Sequence, residues 1–197
     1  SQIAEIRAHR ARTETFRGYR SLTVGFSGLV AIAAALLQAQ LVPEPQRQVS
    51  AYLMLWLSAA AIGLLAAGAE MTWRSRRSTC GSSARLTWMA VEQFLPCVLA
   101  GGLVTFVLAR FAEASLWMLP GLWSILFSLG IFASARLLPR PVFGVAAFYL
   151  VAGAFSLALA RDEAAFSPWA MGVPFGLGQL MAAGVLYWKL ERGHGRQ

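Results

Sequence analysis

The sequence predicts an all-α polytopic membrane protein with six transmembrane helices. Three observations point there. The chain is 57% hydrophobic and only 13% charged, against about 25% charged in a usual soluble domain. Its charges fall in clusters separated by long apolar runs. Those runs are continuous rather than alternating, which selects helices over a barrel. A soluble all-α domain would need a polar face on every helix, and residues 51–69 have none.

In chain order, residues 1–20 form a basic segment with Arg7, Arg10, Arg12, Arg17 and Arg20 against Glu5 and Glu14. It reads as an amphipathic helix near the cytoplasmic headgroups, attracted to anionic lipid. A solvated leader that only sets orientation is the alternative. Gln38-Ala39-Gln40 lacks a small-x-small pattern, so the segment is expected to be retained rather than cleaved.

The transmembrane region spans 21–190. The first helix covers about 21–42, with Ser27, Ala31 and Ala35 as a small-residue stripe, and ends at Pro43-Glu44-Pro45. The second covers 51–73, with a similar stripe at Ala59, Gly63 and Ala67. Such stripes let helix backbones approach closely. Arg74, Arg76, Arg77 and Arg85 bracket a twelve-residue loop that holds Cys80. The third span covers 86–109 and the fourth 116–135, with Pro120 in its first turns, where proline is tolerated. The fifth covers 142–160 and the sixth 168–188. Residues 191–197 form a short tail.

Arginine and lysine placement sets the orientation. With the N-terminus in the cytoplasm, inside segments hold fourteen basic residues and outside loops three, Arg47, Arg110 and Arg161. That bias predicts both termini on the cytoplasmic side. Trp73, Trp88 and Trp188 then fall at inner boundaries, and Trp117 and Trp169 at outer ones. This topology also allows an inverted repeat, because spans one to three and four to six run in opposite senses.

The third span carries the main chemical signal. Glu92 lies four residues past Trp88, about 6 Å deeper along the helix. Pro96, four further on, has no N–H for the Glu92 carbonyl. A carboxyl and a freed backbone carbonyl therefore coincide, with Gln93 and Cys97 beside them. The position could hold a cation or an amine, accept a proton, or face the polar end of an amphiphile, because intramembrane ionisable groups mark sites by default. The plainer alternative pairs Glu92 with an arginine of the 74–85 loop. Glu70 lies near the same boundary; it reads first as an interfacial carboxylate, and otherwise as a second acid on the same cavity wall. In the sixth span Gly172 and Gly176 form a GxxxG pair, Pro174 interrupts the helix and Gln179 sits near mid-membrane. Packing is the first reading of this set and a substrate path the second. The candidate ligand residues are thus Glu92, Glu70, Gln93, Trp88 and Gln179, with kinks at Pro96 and Pro174.

Other chemistries find no pattern. His9 and His194 lie in the terminal segments, and Cys80 and Cys97 occupy a loop and a helix, so there is no haem or metal signature. Any cofactor is unknown. The scattered serines have no histidine partner, and no Walker loop, Rossmann glycine motif or HExxH occurs. An enzyme is not expected. Nor is nucleic acid a partner, since the net charge of +8 is accounted for by orientation.

Residues 119–123, 132–140, 145–150, 167–179 and 186–192 carry a resemblance to a family of small six-helix bacterial inner-membrane proteins of unassigned function, often encoded beside winged-helix regulators. The resemblance covers the C-terminal half best and implies a regulated or sensing role. Two functions follow as expectations. One is binding or transport of a small apolar or cationic molecule through a cytoplasm-facing cavity. The alternative is a non-catalytic subunit or sensor that forms homo- or hetero-oligomers through small-residue helix faces.

Overall fold

A computed structural model of the chain describes residues 2–77, 81–134, 140–160 and 162–190, with side chains described for 21–73, 91–134, 140–160 and 163–188. Among them there is no strand. Six long helices, α1 (Gln2–Leu41), α2 (Val49–Arg77), α3 (Gly81–Phe111), α4 (Leu119–Ser134), α5 (Val142–Leu159) and α6 (Pro168–Leu190), carry the chain. Two short 3-10 segments, Glu113–Met118 and Asp162–Phe166, connect α3 to α4 and α5 to α6. Five of the long helices contain a stretch long and apolar enough to cross a membrane, and the sixth such stretch, Glu113–Ser134, joins α4 to the 3-10 segment before it. Helices are the solution here because each satisfies its own backbone groups where no water is available.

Two boundaries differ from the sequence reading. The expected 74–85 loop is helical through Arg77 and again from Gly81, because its alanine and arginines are good helix formers. The 1–20 segment is not a separate element: α1 is one helix of 40 residues. At 1.5 Å per residue it is about 60 Å long, twice the hydrocarbon thickness of a bilayer. Its basic half therefore continues past the apolar span. The side chains of that half, Trp88, the arginines at 74–85 and the tail 191–197 lie outside the described residues. Both interior prolines, Pro96 and Pro174, are accommodated within helices. Pro120 follows the change from 3-10 to α-helix at Leu119, where an early proline costs little.

Antiparallel succession places the 42–48 turn and the two 3-10 connectors at one end of the bundle, called distal here. The boundaries near Ser21, Trp73, Val91, Ser134, Val142 and Trp188 lie at the proximal end. The most extensive packing is α1 on α6, followed by α4 on α5, α3 on α4 and α1 on α2; α5 on α6 is thinner and α2 on α3 slight. Glycine permits the closest approaches. A Cβ built on Gly153 would lie 2.7 Å from the Gly121 carbonyl oxygen, and one on Gly172 would lie 2.6 Å from the Ala35 Cβ.

Two apolar clusters fill the bundle. The distal one joins Ala34, Ala35, Tyr52, Trp56, Leu116, Leu119 and Phe166, with Val104 and Leu108 of α3 packed against it. The second joins Ile131, Val145, Ala146 and Tyr149, with Phe94, Phe127 and Phe175 around them. No described residue of α2 belongs to the second cluster, so α2 loses contact with the rest of the core toward the proximal end, α1 excepted.

Candidate ligand cavity at the distal end

An open cavity of about 820 Å³ sits at the distal end. Gln46 and Val49 line it from the α1–α2 turn, Glu113, Leu116 and Trp117 from the first connector, and Glu163 and Phe166 from the second. The chain brings these segments together because α1, α3 and α5 all end there and α2, α4 and α6 all begin there. Glu113 and Glu163 are exposed, Trp117 half-buried and Phe166 buried.

Beneath the cavity the structure is tightly specified. Gln38, fully buried, donates from Nε2 to the Phe166 carbonyl at 2.7 Å. Its Oε1 accepts the Trp56 indole N–H, also at 2.7 Å. One amide therefore ties α1, α2 and the second connector together. The Tyr52 ring meets the Phe166 ring edge-on, with centroids 5.2 Å apart. Phe166 is held through both its backbone and its ring, so this wall of the cavity is preorganised.

The electrostatics favour a cation. Arg47, next to lining residue Gln46, is engaged by Glu44 at 3.0 Å, so each offsets the other. Glu113 and Glu163 lie on separate connectors with aromatic surface near both. Carboxylates attract positive charge from a distance, and Trp and Phe faces attract cations at contact. Arg110 stacks over the Phe111 ring with its guanidinium carbon 5.8 Å from the centroid. Arg161 lies outside the described residues.

The residues singled out from sequence sit elsewhere and do not form one site. Glu92 and Gln93 are exposed on α3. Seven, eleven and fourteen residues past Glu92 come Leu99, Leu103 and Phe106, at 63%, 64% and 61% exposure. At 3.6 residues per turn these share its face, which points away from the bundle. Phe94, by contrast, packs inward on Phe127 at 5.1 Å. Glu70 is half-buried on α2, which packs only slightly on α3. Gln179 is half-buried on α6 with its Cβ against Gly28 of α1, so it belongs to helix packing rather than to a wall shared with Glu92. Pro96 is exposed and Pro174 buried. No group of three or more metal-ligating side chains occurs among the described residues.

Sequence reasoning missed Gln38 and the acidic connectors. Gln38 did carry a signal: an amide inside an apolar span needs a partner, and polar side chains join membrane helices by hydrogen bonds. Glu113 and Glu163 carried none, since each reads alone as a loop charge. No protein-family model, curated protein or solved structure matches the chain.

Proposed function

We propose that this protein is a multi-pass protein of the bacterial inner membrane that binds a small molecule combining a positive charge with an apolar body. The reading rests on one observation: two carboxylates from different connectors share a cavity with Trp117 and Phe166, above a floor fixed by Gln38. Both termini lie in the cytoplasm, following the fourteen-to-three distribution of basic residues. The basic half of α1 meets anionic headgroups as an amphipathic extension of the first span. The distal cavity then opens on the outer face. There the loops carry Glu44, Glu113, Asp162 and Glu163 against three arginines, whereas the inner segments are strongly positive. A cation is drawn to the outer end accordingly.

The membrane centre next to α6 is filled by Phe127, Tyr149 and Phe175, with ring centroids 4.8–5.5 Å apart. Packed rings at that depth suit reception of a ligand at the surface better than its passage through. A sensing role is also what the resemblance to inner-membrane proteins encoded beside regulators implies.

The test is binding of tetraphenylphosphonium to the purified protein in nanodiscs by calorimetry. Glu113→Gln with Glu163→Gln is expected to weaken binding at least about tenfold, the equivalent of about 1.4 kcal/mol, with the melting temperature unchanged. Glu92→Gln measured in parallel separates the two ends of the bundle. Loss of binding in that variant, with the distal pair retained, would move the site to the Glu92 face of α3.

A second reading, a subunit acting through association, has its own observation. Only 11% of the α2 span and 6% of the α3 span are buried, leaving Leu57, Leu65, Leu99, Leu103 and Phe106 facing outward. A stable oligomer seen by mass photometry in nanodiscs, lost on substitution of those leucines by alanine, would favour it.

A further inference from the structure

We propose that the bundle consists of two rigid three-helix bodies, α6–α1–α2 and α3–α4–α5, that hinge on each other, and that a ligand in the distal cavity clamps them together. The clamp rests on the proposed function; the hinge does not.

The division follows from where helices pack closely. Within the first body α1 is the centre and makes the most extensive contacts, with α6 and α2. Within the second body α4 is the centre, packed on α5 and α3. Between the bodies, α5 on α6 is thinner and α2 on α3 and α4 on α6 are slight; the distal core, where Leu116, Leu119, Val104 and Leu108 meet Tyr52 and Ala35, is the joint that connects them. Close approach through glycine is internal to a body at Gly28 and Gly172 for α1 and α6, and at Gly121 and Gly153 for α4 and α5; Gly178 of α6, against Tyr149 of α5, is the exception. Interhelical hydrogen bonds repeat the division. Trp56 to Gln38 joins α2 to α1, Trp123 to Thr105 joins α4 to α3 at 2.9 Å, and Ser128 to the Ala146 carbonyl joins α4 to α5 at 2.7 Å.

The bodies also exchange chain halves. Replacing α1, α2 and α3 by α4, α5 and α6 turns one body into the other, with α3 packed on the second half and α6 on the first. That crosswise arrangement is what two inverted three-helix repeats produce, and such repeats move as units.

The junction at the bundle centre suits movement. Phe175 of α6 lies against Phe127 and Tyr149 of the second body, so rings meet rings with few directional bonds. Tyr149 presses where a Gly178 side chain would be. Its hydroxyl is fully buried and has no hydrogen-bond partner among the described residues. An unpaired hydroxyl in an apolar interior disfavours the arrangement that holds it. A shift of α6 along α5 can bring a backbone carbonyl or water to that hydroxyl.

The distal cavity spans the same junction. Gln46 belongs to the first body and Glu113 and Trp117 to the second. Glu163 sits on the connector that Gln38 anchors to the first body through Phe166. A cation bridging Glu113 and Glu163 adds to the joint that the distal core already makes and, by fixing its angle, sets the separation of the bodies at the proximal end.

Spin labels on Ala69→Cys and Val91→Cys, placed on α2 and α3 in a background lacking Cys80 and Cys97, report the proximal gap by pulsed electron–electron resonance. Labels on Leu22→Cys and Ala69→Cys report within the first body. Without ligand, the 69–91 pair is expected to show two distance populations and the 22–69 pair one. Saturating tetraphenylphosphonium should leave a single 69–91 population, with no such response in Glu113→Gln. A single narrow 69–91 distribution without ligand overturns the hinge, whether or not the cation binds. Calorimetric binding that leaves the two populations unchanged overturns the clamp alone. Absence of calorimetric binding overturns the proposed function and the clamp with it, while the ligand-free distances still decide the hinge. Tyr149→Phe removes the unpaired hydroxyl and should enrich the population that the ligand selects; no change in the population ratio counts against the role given to that hydroxyl.

Discussion

Replacing Gln38 by leucine removes both the donor to the Phe166 carbonyl and the acceptor of the Trp56 indole N–H. Two buried groups lose partners at once. Orphaned groups cost roughly 1–3 kcal/mol each in protein interiors, while polar contacts in membrane bundles average nearer about 0.6 kcal/mol. The expected loss is about 1–2 kcal/mol, read from thermal unfolding in detergent. Tetraphenylphosphonium affinity should fall as well, although both carboxylates remain, because Phe166 is no longer positioned. Glycines give a contrasting pair. Gly153→Ala would press on the Gly121 carbonyl and the Ile125 side chain and should destabilise by about 1–3 kcal/mol, the usual cost of overpacking. Gly68 has nothing within 4 Å, so Gly68→Ala should be neutral or stabilising by up to about 1 kcal/mol through helix propensity. Equal melting temperatures for these two variants would contradict the α4–α5 contact.

At the scale of elements, the spans were legible because each is long, continuous and apolar. Residues 21–42, 142–160 and 168–188 match α1, α5 and α6 within a residue or two where the apolar stretch is concerned. The charge cluster at 74–85 misled where it was taken for a loop, whereas the basic 1–20 segment was read as a helix, though as a separate one. Arginines at 74–77 prolong α2 and those before 20 prolong α1, since charge ends a membrane span without ending a helix. The proposed orientation makes a direct prediction for these elements. Gln46→Cys, beside the distal cavity, should react with a membrane-impermeant maleimide in intact cells, and native Cys80 only after permeabilisation. Labelling in the opposite order would reverse the assignment and place the cavity in the cytoplasm.

For the whole molecule, packing changed the reading of the site. Glu92 stood out in sequence because a carboxylate in an apolar run is costly. The fold gives it the outward face of the least buried span. The distal cavity was invisible in sequence because its residues come from positions 46, 113–117 and 163–166, and nothing local relates them. Gln179, read first as a packing residue, lies with its Cβ against Gly28 of α1.

The sequence by itself determined that the chain is helical and has six stretches long and apolar enough to cross a membrane, because backbone satisfaction and burial of apolar runs are local, additive demands. Its basic residues also carry a bias, read loop by loop, on which the proposed orientation rests. Only the tertiary structure decided which helix faces meet, which polar side chains are enclosed and which surface becomes a cavity. Those depend on fits between residues far apart in the chain, such as Gln38 with Phe166 or Gly121 with Gly153, and a one-dimensional pattern holds no record of them.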